Sequence, residues 1–67
     1  MEEARLEALS LITGGIFATF ELWVAFYGIG GTAEMLEFEA YIYGLIPVSE
    51  IDAQLLSEAL LELTGNW

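Results

Sequence analysis

The sequence contains no cysteine, no histidine and no lysine, one proline (Pro47) and one basic side chain, Arg5. Without thiols there is neither a disulfide nor a thiolate metal site. A domain of 67 residues must then draw its stability from core packing, self-association or a partner. Without histidine, cysteine and lysine the commonest general bases, nucleophiles and phosphate clamps are missing, which argues against an enzyme. The carboxylates of Glu37 and Glu39, two residues apart, resemble the acid pair of a glycosidase. They read more simply as a solvated face, because so short a chain offers little room for a sugar cleft. The acids do not follow a calcium-loop spacing, and Gly28-Ile29-Gly30-Gly31 lacks the lysine of a phosphate loop. No cofactor and no metal are expected.

What is present in excess is negative charge. Eleven acids against one base give a formal charge of −10 and a pI near 4.1. Nucleic acid and anionic membrane surfaces would repel such a chain, whereas a basic protein would be steered toward it. Apolar residues make up 57% of the sequence and the mean hydropathy is +0.62, too high for disorder despite the charge. One domain spanning residues 1–67 is expected. The acidic start, Met1-Glu2-Glu3-Ala4-Arg5, lacks the basic region of a secretory signal, so the expected location is the cytoplasm.

Four segments emerge along the chain. Glu2 to Ile12 read as an amphipathic helix, with Ala4, Ala8, Leu9, Leu11 and Ile12 on one side and Glu3, Glu7 and Ser10 opposite, stopped by Thr13-Gly14-Gly15. From Ile16 to Tyr27 every even position is apolar and the odd positions are mixed and aromatic. The alternation returns at Leu36, Phe38, Ala40 and Ile42 after a glycine-rich stretch, which predicts a β-hairpin. Ser49 then predicts an N-cap, with Asp52 three residues on. Leu55, Leu56, Ala59, Leu60 and Leu63 form the inward arc of a last helix that Gly65 closes. The expected fold class is therefore α+β, in the order helix, two-stranded antiparallel hairpin, helix (αββα), with a homodimer formed by pairing two hairpins into one sheet.

Two rivals stand beside the hairpin. Ala33 to Tyr43 hold good helix formers, but a helix would scatter Glu34, Glu37 and Glu39 around its cylinder, whereas a strand puts Glu37 and Glu39 on one face. The other rival is a membrane helix over residues 11–29, which is long enough to span but places Glu21 at its centre. A small membrane-embedded subunit and a structural assembly protein are accordingly the alternative functions, although no membrane partner is favoured.

On the hairpin reading the odd-numbered face displays Glu21, Glu37 and Glu39 among Trp23, Tyr27, Tyr41 and Tyr43. Glu50, Asp52, Glu58, Leu61 and Glu62 extend it along the last helix. Alternate strand residues lie roughly 6.6–6.8 Å apart, close to the spacing of successive phosphates along a strand of nucleic acid. Aromatic side chains are the usual anchors of interfaces. These twelve residues are the expected partner-binding set.

The segments Phe38-Glu39-Ala40-Tyr41-Ile42-Tyr43-Gly44-Leu45 and Ser49-Glu50-Ile51-Asp52 form an acidic strand followed by an acidic helix start. In these, and in size and acidity, the chain resembles the small phage-encoded proteins that mimic DNA, among them the uracil-DNA glycosylase inhibitors and some anti-CRISPR proteins. The resemblance implies an inhibitor that occupies the basic groove of a DNA-binding enzyme. Its host target would be a repair enzyme, and uracil-containing DNA would be protected.

Overall fold

At the two ends of the chain, residue pattern and structure coincide. In the computed structural model, which describes residues 2–65 (Glu2 by its backbone alone), α1 runs Glu2–Thr13 and α4 runs Glu50–Thr64. Along α1, Ala8 is fully buried while Glu3, Glu7 and Ser10 face solvent. The helix stops where Gly15 turns left-handed (φ 79°), and the Ile16 amide donates back to the Leu11 carbonyl at 2.9 Å. At the start of α4 the Ser49 hydroxyl accepts from the Asp52 amide at 3.1 Å, satisfying one of the free donors of the first turn. Gly65 closes α4 in the left-handed conformation (φ 61°). Ala53, Leu56, Ala59 and Leu60 are buried and Leu55 is half-buried, but Leu63 stays at the exposed edge.

Between the ends, the expected αββα order is wrong. Residues Thr19–Gly28 form α2 and Met35–Ile42 form α3, and no strand occurs among the described residues. The fold is all-α. The sheet edge through which a dimer was expected does not exist.

The alternation misled because the odd positions of 16–27 are themselves mostly apolar, so a period of two had little contrast to measure. Beneath it lies a helical period: Leu22 and Phe26 are fully buried, Ala25 and Ile29 are half-buried, and all four fall on one side. The same i, i+4 step buries Phe38 and Ile42 on α3. The Phe26 and Phe38 rings meet with centroids 4.8 Å apart, joining the two middle helices through side chains rather than a backbone ladder. Packing has overridden the strand preference of aromatic residues.

Local signals support the helical outcome. Ala18, in extended conformation before α2, donates its amide to Glu21 Oε1 at 2.8 Å, the half of a capping box that a glutamate in the first turn supplies. After α2 the chain folds back sharply, with the Gly31 amide donating to the Phe26 carbonyl at 3.0 Å. Gly31 is buried, and a β-carbon there would overlap the Phe26 ring. Only glycine lets the backbone lie against that ring.

Helix α4 packs along both α1 and α2, and α3 packs against the same two helices. The pairs α1–α2 and α3–α4, consecutive in the chain, are not main packing pairs. Two long-range hydrogen bonds pin the arrangement. Trp23 Nε1 donates to the Ala33 carbonyl at 2.9 Å, and Arg5 Nη1 donates to the Ile42 carbonyl at 3.0 Å. The guanidinium thus sits at the negative end of α3. Residues 11–29 are not one helix, being broken by the turn between Thr13 and Thr19. Among the described residues no helix is long and apolar enough to cross a membrane.

Candidate interaction surface

Helical geometry redistributes the side chains expected on one hairpin face. Glu37 and Glu39 no longer share a side: Glu37 is exposed, whereas Glu39 lies half-buried about 160° further round α3. The phosphate-like track of alternate strand residues does not form. Glu21 is exposed on α2 with its carboxylate engaged at the Ala18 amide. Trp23 is half-buried and held to Ala33, and Tyr27 is exposed with its ring centroid 5.3 Å from that of Trp23. Tyr43, the residue after α3, is exposed.

Three of the expected residues are brought together. Glu37 and Tyr41 are one turn apart on α3, and the Tyr41 hydroxyl donates across to Asp52 Oδ2 in the first turn of α4, at a long 3.4 Å. Burial comes first in raising the Tyr41 phenol above its ordinary pKa, followed by the negative charges of Glu37 and Asp52 and the hydrogen bond to Asp52. The folded chain therefore favours the neutral phenol. The unfolded chain releases this proton first, near pH 10, so the contribution is complete below that pH and is lost as pH climbs through the folded value. Urea midpoints followed from pH 9 to 11 should fall with pH in the parent chain, and the fall should be shallower in Tyr41→Phe. An unchanged slope would show that this contact does not discriminate between the two forms.

On α4, Glu50, Gln54, Glu58 and Glu62 recur every four residues on the exposed side, with Leu61 exposed beside them. Each step advances about 6 Å along the helix. Four residues outside the expected set contribute a further feature. Glu3 and Glu7 of α1, with Gln54 and Ser57 of α4, line a shallow groove of about 330 Å³ floored by Ala4 and Ala53. The i, i+4 spacing of Glu3 and Glu7 placed them on one side of α1, but their facing α4 required the packing of chain ends. Among the described residues no three carboxylates converge in a way that could hold a metal ion.

No family model, curated protein or solved structure matches the chain.

Proposed function

We propose that the protein is a non-catalytic acidic module that binds a basic protein, in the manner of a DNA mimic that occupies and inhibits the nucleic-acid groove of a DNA-binding enzyme. One observation supports this reading above the others: apart from Arg5, every charged side chain is a carboxylate. Ten of the eleven acids belong to α1, α3, α4 and the residues that cap them, and the one guanidinium lies against the Ile42 carbonyl. A field of this kind accelerates encounter with a cationic groove. The α4 row carries charge far more sparsely than duplex DNA, which has one charge per about 1.7 Å of axis. The likeness is one of field rather than register, because a strand-spaced track of carboxylates does not exist where α2 and α3 stand in place of a hairpin.

The immobilised chain should capture purified DNA-binding enzymes, a uracil-DNA glycosylase among those tried, and lose them when duplex DNA is added. Association rates should fall as NaCl rises. The double substitution Glu58→Lys and Glu62→Lys, both exposed on α4, should weaken capture at least tenfold with far-UV circular dichroism unchanged. Capture that DNA cannot displace would refute the proposal.

A further inference from the structure

Helix α2 has two apolar sides, and the fold uses one of them. Leu22 and Phe26 enter the core. On the other side Phe20, Val24 and Tyr27, at i, i+4 and i+7, remain 58%, 49% and 58% exposed. Trp23 lies between them, half-buried, with its ring centroid 5.9 Å from Phe20 and 5.3 Å from Tyr27. The result is a ridge of three neighbouring, mutually tilted aromatic rings and a valine along the outer side of one helix.

The charge around this ridge is as uneven as its hydropathy. Between Ala8 and Ala33 the only charged residue is Glu21, and its carboxylate accepts from the Ala18 amide. The other ten acids lie before or after that stretch. Helix α2 thus carries one carboxylate, fewer than any other helix of the fold, so a second molecule of charge −10 that docks along it meets less like charge on the helix itself than it would along α1, α3 or α4. A cationic partner finds one carboxylate on α2, Glu21, already engaged at the Ala18 amide, while the other ten acids lie outside α2.

We propose that the α2 ridge is the contact of a homodimer, formed by a second copy of this chain laying its own Phe20, Trp23, Val24 and Tyr27 against the first. This surface is independent of the basic-partner reading above. The ridge offers on the order of 300–400 Å² of apolar surface per copy, against the roughly 800 Å² per partner of a standard interface. The dimer is consequently weak, in the micromolar range or above. Its affinity rises with salt, because screening removes the residual repulsion between the two bodies. That sign is opposite to the one expected for a basic partner.

Sedimentation velocity of the full chain from about 10 μM to 1 mM, in 0.05 M and 1 M NaCl, tests this. The dimer fraction should rise with concentration, and the dissociation constant should fall at least tenfold at the higher salt. Val24→Glu and the uncharged Tyr27→Ser should each weaken association at least tenfold while keeping the helical circular dichroism. Leu36→Glu adds the same charge at a site 79% exposed on α3 and should leave the constant within about threefold. A chain monomeric at 1 mM in 1 M NaCl overturns the proposal, as does association that Val24→Glu leaves unchanged. Co-sedimentation of that monomer with phosphatidylcholine vesicles would assign the ridge to lipid instead, and equally overturns the dimer. Capture of a basic enzyme by Val24→Glu at the parental level would keep the function proposed above separate from this result.

Discussion

Replacing Phe26 with alanine is expected to leave the chain without a cooperative folding transition. Phe26 is 1% exposed; its ring meets Phe38, lies against Gly31, and belongs to the one cluster that joins all four helices. Truncating a buried phenylalanine costs about 3–5 kcal/mol in transfer and cavity terms. A domain of this size commonly has only about 3–10 kcal/mol in total. No disulfide constrains the unfolded chain, and the backbone turn at Gly31 would lose the ring that it packs on. Thermal melts of Phe26→Ala followed by near-UV circular dichroism should be broad or absent, whereas Phe26→Leu should still melt cooperatively at a lower temperature. A Phe26→Ala melt within a few degrees of the parent would show that the core does not depend on this ring.

Salt should stabilise the fold by a comparable amount. A net charge of −10 is held in a body of 25 × 22 × 20 Å. Two unit charges about 20 Å apart repel by about 0.2 kcal/mol in water, and ten net charges make dozens of such pairs. The screening length falls from about 30 Å at 0.01 M to about 3 Å at 1 M salt. Unfolding separates the charges, so low salt favours the unfolded chain. We expect a gain of about 2–3 kcal/mol between 0.01 M and 1 M NaCl, visible as a rise in Tm of about 10–20 °C. A Tm that is flat or falling across this range would mean that the charges do not strain the fold. Because NaCl should weaken capture of a basic partner while strengthening the fold, a loss of binding at high salt cannot be attributed to unfolding.

The two terminal helices were legible because their signals are local and chemically distinct. Ser49 and Gly65 mark the ends of α4 by a hydroxyl and a missing β-carbon, and the acids of α1 alternate with alanine and leucine at a helical period. The middle helices were not, because Phe20, Trp23, Val24 and Tyr27 are apolar residues on an outer face. Their presence filled in the polar stripe that would have shown the period of 3.6 residues. The contact of Phe26 with Phe38 joins the two middle helices, and neither segment taken alone records it. The acidity, and with it the case for a basic partner, was readable directly from composition. The surface carrying it was not. Placing Glu37 one turn from Tyr41 needed α3 to be a helix, and placing Tyr41 beside Asp52, and Glu3 and Glu7 across a groove from Gln54, needed the packing of the four helices.

The bond between Arg5 and the Ile42 carbonyl has a practical consequence. Trypsin cuts after lysine or arginine, and this chain offers it one peptide bond, Arg5–Leu6, near the N-terminal end of α1. The protease must draw several residues into extended form, so the bond is cut only when α1 unwinds and its guanidinium leaves the end of α3. Digestion rate therefore reads the free energy of opening the first turns of α1 and freeing Arg5 from the end of α3, at a single site, without any label.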